Sequence, residues 1–422
     1  MAEGMETGSE VAAPRPKTAA EAAKALPLGI PEFVSMIAAL MAMNALAIDV
    51  MLPALDDIAA DFAVARANDQ QLLIFVYVLG FGAPQLVFGP LSDRYGRRPV
   101  LFGALAAYAM TGFACMAAPS FEALLAMRFV QGMAASGSRV VAVSIVRDVF
   151  EGRGMARIMS LVMTVFMVIP IVAPSVGQVV LFVGPWQWIF GVLGGAAALV
   201  LVWIYLRLPE TLAVEKRRPF NVRAAAGDYA EVFRTRVAFG YIAASGIVFG
   251  SLFAFIGSAE QVFTEVFALG DGFVLWFAGV ALALSAANFT NSRLVERFGM
   301  RRLSHGALVV FIAASVTAVL LTLALGEVFP VFFAALCVCF ACFGLIGSNF
   351  TALAMEPFER LAGTASAASG FSTVTVSSML GYLIGAQYNG SSVPLLIGFA
   401  ALGAASLAIV AVVERGRLFA SR

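Results

Sequence analysis

Long apolar runs recur along the chain from about residue 33 onward, separated by charged residues or by glycine and proline. A helix needs roughly 20 apolar residues to cross about 30 Å of hydrocarbon. Backbone in lipid must satisfy its own hydrogen bonds, so each run is expected to be helical. The twelve predicted spans are residues 33–54, 71–92, 99–118, 122–146, 155–181, 186–208, 237–259, 272–293, 303–325, 328–351, 362–387 and 392–414.

A polar segment rich in lysine and arginine, residues 209–236, divides these spans into two sets of six. The pattern predicts an all-α membrane protein with a six-helix half at residues 30–208, a cytoplasmic linker at 209–236 and a second half at 237–414. Residues 1–29 mix scattered charges with alanine, proline and glycine and contain no signal-peptide apolar run, so a disordered cytoplasmic tail is expected. Residues 415–422 are predicted to be a second cytoplasmic tail.

Composition narrows the function. The chain is 61% hydrophobic and 13% charged, against about 25% charged in soluble domains. A net charge of +1 gives no basic field for nucleic acid. Membrane lipid is therefore an expected partner, and we expect the chain to act as a monomer.

Chemistry-bearing motifs of enzymes are missing from the sequence. It has one histidine and no HExxH, GxSxG or P-loop pattern, so we expect neither an enzyme nor a cofactor or ATP drive. Cys337, Cys339 and Cys342 fall in one apolar run without histidine, and Cys115 stands alone. These cysteines indicate core packing rather than a disulfide framework or a metal site.

The positive charges predict the orientation. With the N-terminus inside, the outer loops hold one basic residue, Arg66, and the remaining loop arginines and lysines lie on the cytoplasmic side. Both termini are therefore expected in the cytoplasm. His305 falls at a cytoplasmic helix end, where we expect it to be solvated.

The loop after the second span, GPLSDRYGRRPV, concentrates an acid and three arginines. Gly89 is expected to permit close helix contact, Asp93 to pair with an arginine or cap a helix N-terminus, and Gly96 to turn the chain. Arg94, Arg97 and Arg98 hold the loop on the cytoplasmic side. A weaker copy, SRLVERFGMRR at Ser292 to Arg302, follows the second span of the second half, as in transporters made of two similar halves.

GPLSDRYGRR resembles the loop signature of the major facilitator superfamily. The resemblance implies a conformational latch, meaning contacts that hold one conformation shut; the alternative is a topological anchor alone. RFVQG, Arg128 to Gly132, resembles the signature of proton-coupled members. A buried arginine is costly unless it is paired or hydrated, so Arg128 is either a coupling residue or a structural one tied to backbone carbonyls.

The fifth span contains IPIVAPSVGQ, which is similar to the antiporter signature of the same superfamily. Pro170, Pro174 and Gly177 allow a bent, tightly packed helix. Ala173 and Gln178 depart from the signature, which leaves import as an alternative to export.

Asp49 is an acid within the first span. A charged carboxylate there is costly, so its protonation should depend on conformation, as proton coupling requires; the alternative is a structural, hydrogen-bonded aspartate. Residues Ile48 to Leu55 are similar to the IDxxLPA segment of the bicyclomycin and chloramphenicol resistance branch of drug:proton antiporters. The resemblance implies a multi-pass protein of a bacterial inner membrane.

Several polar and aromatic residues within the spans are candidates for a substrate cavity. Each has the alternative of facing lipid or core, and of Phe253 and Phe255 only one is expected to point inward. The candidates are Asn44, Tyr77, Gln85, Gln131, Arg139, Phe253, Phe255, Asn288, Asn291 and Asn349.

The combined prediction is a secondary transporter that exports a drug-like or amphiphilic molecule in exchange for protons by alternating access. Asp49 would release and regain the proton, and Arg128 would bias that exchange across the interface between the first and fourth spans. One alternative is a transporter of the same fold for a defined metabolite such as a sugar or amino acid. The other is a membrane enzyme or receptor on the same scaffold.

Overall fold

The computed structural model describes residues 28–150, 152–217, 222–358 and 361–419. Most of the predicted tail, residues 1–27, lies outside the described residues. The described part is helical throughout. The helices of the first half are α1 (Ile30–Asp49), α2 (Leu55–Asp61), α3 (Leu72–Gly82), α4 (Gln85–Tyr95), α5 (Arg97–Cys115), α6 (Phe121–Val149), α7 (Gly152–Val183) and α8 (Gln187–Arg207).

The predicted linker contains a helix of its own, α9 (Val222–Arg234). The second half consists of α10 (Arg236–Gln261), α11 (Phe273–Phe298), α12 (Met300–Leu325), α13 (Phe329–Met355), α14 (Ala362–Gly385) and α15 (Val393–Val413). Among the described residues, eleven helices are long and apolar enough to cross a membrane. A twelfth span is obtained if one bent pair of helices counts as a single crossing, as predicted.

The bent pair is the second predicted span, which is broken between α3 and α4. The two segments meet at 44°, and Pro84 lies at the break. Proline cannot donate a backbone hydrogen bond and clashes with the preceding turn, which accounts for the interruption. The bend separates the half of this span that packs beside Arg128 from the half that carries the loop motif.

The first predicted span is also interrupted. Helix α1 ends at Asp49, and after a turn the chain forms a short 3₁₀ segment, Leu52–Ala54, before α2 begins. Pro53 stands inside that segment and prevents α1 from continuing. Asp49 is therefore the last residue of a helix at a buried chain break.

The two halves meet along two seams, one between α3 and α14 and the other between α7 and α11. Both described chain ends lie at one face of the bundle, which we call the terminal face. At the opposite face, Asn68 Nδ2 donates to the carbonyl oxygens of Ala386 and Tyr388, each at 3.0 Å. The halves are thus in direct contact at the face opposite the chain ends.

Two sequence expectations are wrong. A Cβ built at Gly89 meets no described atom within 4 Å, so this glycine does not serve close helix contact. His305 is fully buried rather than solvated. Its Nε2 lies 3.1 Å from the Tyr241 hydroxyl, and its Nδ1 accepts from the backbone N–H of Phe419 at 3.3 Å, because the chain beyond α15 folds back over it.

Candidate functional site

Asp49 is buried, with 5% of its surface exposed. The structure gives its carboxyl group no hydrogen bond or ion pair with any described residue. The predicted alternative, a hydrogen-bonded structural aspartate, is therefore not what this conformation contains. A buried carboxyl without a partner is expensive to ionise, so this position suits a group that takes up and releases a proton.

Arg128 is the largest fully buried side chain of the described residues. Its Nε donates to the Leu73 carbonyl at 3.2 Å, and its Nη2 donates to the Ala47 carbonyl at 2.9 Å. Its Nη1 donates to Gln131 Oε1 at 2.7 Å. The guanidinium also lies over the Tyr77 ring, 4.2 Å from its centroid, a favourable cation–π geometry.

These contacts tie α6 to α1 and α3. No carboxylate pairs with Arg128 among the described residues, so its contacts are those of an arginine held by backbone carbonyls. Its link to Asp49 runs through the backbone, because the Ala47 carbonyl that it binds is two residues before Asp49. The position of Arg128 therefore fixes the end of α1 from which the Asp49 side chain projects.

Three further polar residues, Asn44, Tyr77 and Gln131, complete this group, which we call the α1 cluster (Asn44, Asp49, Tyr77, Arg128 and Gln131). The Tyr77 hydroxyl donates to Asn44 Oδ1 at 3.3 Å. The Nε2 atom of Gln131 is buried and has no hydrogen-bond partner in the described chain. The structure thus gathers Arg128 and three of the predicted cavity residues, and Asp49 is linked to them through the backbone of α1.

The antiporter-like helix α7 touches the same chain break. A Cβ at Gly177 would lie 2.0 Å from the Val50 carbonyl oxygen and 2.9 Å from Cγ of Pro53. Only glycine allows that approach, since no real Cβ tolerates such a distance. Pro170 and Pro174 lie inside α7, which the structure shows as one helix. Gly177 therefore lies directly against Val50, the residue that follows Asp49.

Above this site, at the face opposite the chain ends, polar residues of both halves meet. Gln71 Nε2 donates to Gln261 Oε1 at 2.7 Å and to the Gly385 carbonyl at 3.3 Å. Glu260, 6% exposed, accepts a hydrogen bond from the Thr264 hydroxyl at 3.3 Å, and its carboxyl group lies near that of Asp56 from α2. The contacts of Gln71 join the two halves at that face, and the sequence did not single out Gln71, Gln261 or Glu260.

The loop motif is organised by Arg97. Its Nε donates to Asp148 Oδ2 at 2.7 Å, its Nη1 donates to the Ser92 hydroxyl at 2.7 Å, and it pairs with Asp93 at 2.6 Å. Asp93 therefore pairs with an arginine, the first of the two predicted roles. Asp148 ends the fourth span, so Arg97 joins the second, third and fourth spans.

A different acid caps the helix that follows the motif. The Glu210 carboxylate accepts from the backbone N–H groups of Arg97 and Arg98, at 3.0 and 3.1 Å. An acid at a helix N-terminus satisfies free N–H groups and favours the helix dipole. Arg98 donates to the Tyr205 carbonyl at 2.5 Å, whereas the exposed Arg94 lies over the Tyr95 ring.

The second copy of the motif uses one arginine for two acids. Arg301 pairs with Glu356 at 2.6 Å and with Glu414 at 2.9 Å. Burial opposes ionisation of Glu414, but hydrogen bonds from Arg301 and Tyr241 outweigh it and lower the pKa of this carboxyl. Gly96 and Gly299 begin the following helices with φ/ψ of 99°/159° and 80°/154°, so both copies share one backbone turn.

Five of the predicted cavity residues lie away from the α1 cluster, namely Gln85, Phe253, Phe255, Asn291 and Asn349. Phe255 is fully buried in an aromatic cluster with Phe263, Phe277 and Phe340, whereas Phe253 is half-buried against Gly381. Asn349 Nδ2 donates to Asn291 Oδ1 at 2.8 Å.

Gln85 lies against Gly370 at the α4–α14 contact, where its Oε1 would be 2.5 Å from a Cβ at that glycine. Within the described chain, no group of three or more histidine, cysteine, aspartate or glutamate residues could hold a metal ion.

Residues 37–385 match the family model of the Major Facilitator Superfamily. The chain belongs to the major facilitator superfamily. The match spans both sets of helices, from α1 to the end of α14. The superfamily consists of multi-pass membrane transporters for small molecules, and the helical fold described above is the one expected for it.

Three curated relatives cover most of the chain. An uncharacterized MFS-type transporter of Bacillus subtilis, YdgK, is 32% identical over 85% of this chain and 89% of its own length. A bicyclomycin resistance protein homolog of Haemophilus influenzae is 28% identical over 86% of this chain and 91% of its own length. The multidrug resistance protein MdtL of Escherichia coli O157:H7 is 28% identical over 90% of this chain and 95% of its own length.

Proposed function

We propose that this superfamily member exports drug-like or amphiphilic small molecules across a bacterial inner membrane in exchange for protons. The observation that carries the proposal is the Asp49 carboxyl, buried without a partner at the break after α1. Relatives named for bicyclomycin and multidrug resistance, which match over most of their length, support the class of substrate.

Asp49 performs the proton step. In its neutral form it fits the buried position at little cost, and the charged form would need a hydrogen-bond or ion-pair partner, which no described residue supplies here. When the cavity opens to the cytoplasm and substrate arrives, Asp49 releases its proton. It regains one when the path opens to the other side, so proton flow inward is exchanged for substrate flow outward.

Arg128 and Gly177 hold the element that moves. Arg128 fixes α1 through the Ala47 carbonyl, and Gly177 brings α7 against Val50. Residues on both sides of Asp49 are therefore held by other helices of the same half. A shift of α6 or α7 is transmitted to the Asp49 side chain through these contacts, which is how a change of conformation alters its protonation.

Alternating access needs contacts that open at one face while others close. We assign the terminal face to the cytoplasm from the positive charges, and the seam at Gln71 and Gln261 then closes the outer path in this conformation. Arg97, with Asp93 and Asp148, holds the cytoplasmic ends of three spans in one arrangement. In this proposal the motif acts as a latch that favours one of the two conformations, with two six-helix halves, residues 30–208 and 237–414, moving as units in a monomer.

The test is a susceptibility panel in an efflux-deficient bacterial host that expresses the chain. Phenicols, bicyclomycin, cationic dyes and other amphiphiles are compared with vector alone, with accumulation measured before and after a proton uncoupler. The expected result is reduced susceptibility to a subset, with accumulation restored by the uncoupler. Unchanged susceptibility throughout, with energised uptake of a sugar or amino acid instead, would contradict the proposal.

A further inference from the structure

Arg139 lies in the middle of α6, ten residues before the helix ends at Val149. Its side chain is half-buried. The structure gives it no hydrogen-bond acceptor and no carboxylate among the described residues. Its guanidinium lies 5.7 Å from the centroid of the Phe81 ring, which is at the weak end of cation–π contact. A membrane-embedded cation is thus present without a partner.

The side chain points into the bundle and not toward lipid. Arg139 follows Arg128 by eleven residues, about three turns of 3.6 residues, so both arginines lie on one face of α6. Phe81, which Arg139 approaches, is 2% exposed. The neighbouring Gly82 faces the Thr375 hydroxyl of α14, 2.7 Å from a Cβ built at that glycine. Arg139 therefore approaches the seam between the two halves.

Arg139 lacks the hydrogen-bond acceptors that surround Arg128. Arg128 donates to two backbone carbonyls and one amide, which compensates a buried guanidinium. Arg139 is less buried than Arg128 but has none of these acceptors, and the Thr375 hydroxyl across the seam is buried without a hydrogen-bond partner. An unpaired charge within a span is costly and is typical of a ligand or ion pathway.

The charge balance indicates the sign of the ligand. Asp49, Arg128 and Arg139 are the charged residues placed deep within the spans of the first half, and α11 to α15 carry charged residues only near their ends. When Asp49 is protonated, these three positions carry two positive charges and no negative one; the buried Glu260 lies near the end of α10. Such a field attracts an anionic group and disfavours a cation.

We propose that Arg139 binds the carboxylate of an amphiphilic substrate at the seam, with the Phe81 ring beside the substrate's apolar part. This inference rests on the proposed export function and narrows its substrates to molecules with an anionic group. The planar guanidinium suits bidentate binding of a carboxylate. Arg139 is thus a specificity-determining residue and takes no part in the proton step.

The experiment compares two ligands that differ in that group alone, nalidixic acid and its methyl ester. Binding of each to the purified full-length protein in detergent is measured by calorimetry at pH 7.5, for wild type, Arg139→Gln and Arg139→Lys. Arg293→Gln is the matched control, because Arg293 also lies over a phenylalanine, Phe289, but is exposed at a helix end. Chloramphenicol, which is neutral, is measured in parallel.

We expect wild type and Arg293→Gln to bind the acid more tightly than the ester. Arg139→Gln should lose about tenfold in affinity for the acid, the size of one charge-assisted hydrogen bond, with the ester and chloramphenicol unchanged. Arg139→Lys should be intermediate. Equal binding of acid and ester by wild type, no binding of either, or an equal loss for both in Arg139→Gln would overturn the inference.

Failure of this inference is distinguishable from failure of the export function. If wild type binds chloramphenicol and exports it in an uncoupler-sensitive manner, the proposed function stands whatever the acid and ester show. If export fails for every compound of the panel, the proposed function falls, and the acid-to-ester ratio then reports on Arg139 alone.

Discussion

The two halves share a helical plan, but their interiors are filled with different chemistry. In the first half, the interior holds Asp49, Arg128 and Arg139; the Gln131 amide binds Arg128, and the nearby Tyr77 hydroxyl binds Asn44. In the second half, the corresponding space holds an aromatic cluster around Phe255 and the amide pair Asn291 and Asn349. The second half therefore offers shape and apolar surface, and the first half supplies the groups that carry charge.

The difference extends to the terminal face. The first half distributes its acids over Arg97 and the N-terminus of α5, through Asp148 and Glu210. The second half gathers Glu356 and Glu414 on the single Arg301. Both halves thus use an arginine to hold helix ends together, whereas our proposal gives proton coupling to the first half alone.

The strongest test of this division is Asp49→Asn. The amide cannot exchange a proton, so the rate of efflux driven by a pH gradient should fall to that of protein-free liposomes. The same carboxyl-to-amide change at Glu260, in the second half, should alter the rate of transport through the outer seam but leave the gradient dependence intact. Loss of gradient dependence in Glu260→Gln, with its retention in Asp49→Asn, would reverse the assignment.

Arg128→Lys should destabilise the first half. A lysine ammonium cannot reach the Leu73 and Ala47 carbonyls and Gln131 at once, because it has no planar fork. Leaving one buried carbonyl without a donor costs about 2 kcal/mol. Thermal unfolding of purified protein in detergent measures the loss, with the exposed Arg293→Lys as control. Equal melting temperatures for the two variants would show that the three contacts of Arg128 do not stabilise the fold.

The two motif copies should differ in stability when their arginines are removed. Arg301→Gln leaves Glu414 buried with only Tyr241 as a donor, whereas Arg97→Gln leaves Asp148, which is more exposed and keeps Thr211. A carboxylate left without its cation costs more when it is more deeply buried, and the Glu414 side chain is 6% exposed against 13% for Asp148. Arg301→Gln should therefore be the less stable variant, by on the order of 1 kcal/mol. A larger loss in Arg97→Gln would contradict this ranking.

A smaller effect is expected from pH. The pKa of Glu414 lies below its usual value of 4.5 in the folded protein, so its stabilisation is present above that value and is lost as the pH falls through the folded pKa. The melting temperature of Glu414→Gln should lie below that of wild type at pH 6, and the gap should close below pH about 4.5. A gap that is constant down to pH 3.5 would exclude ionised Glu414 as its source.

Much of the fold could be predicted from the length of the apolar runs, because a chain segment in lipid has few alternatives to a helix. The pairing of Asp93 with an arginine could also be predicted, since Arg97 follows it by four residues in the same loop motif. The burial of His305 was not, because it depends on the chain after α15 folding back onto α12, and no local pattern encodes that contact.

The sequence predicted which charged residues form the candidate site but not the contacts that they make. Asp49 and Arg128 stand out as charges within apolar runs. The acceptors of Arg128 are backbone carbonyls of Ala47 and Leu73, and any residue type supplies such a carbonyl. Gly177 was expected to allow tight packing, but its partner, Val50, is 127 positions away by the numbering and is set by how α7 crosses α1. One signal could have pointed to Glu210. It is an acid shortly after the sixth span, and the free N–H groups at the start of α5 need an acceptor on the same side of the membrane.

The central claim is that Asp49 carries the exchanged proton. It is tested most directly by the protons released when a transported compound from the susceptibility panel binds the purified protein in a lightly buffered detergent solution near neutral pH. We expect proton release from wild type, and binding of the same compound without proton release in Asp49→Asn. Equal proton release by the two proteins would contradict the claim.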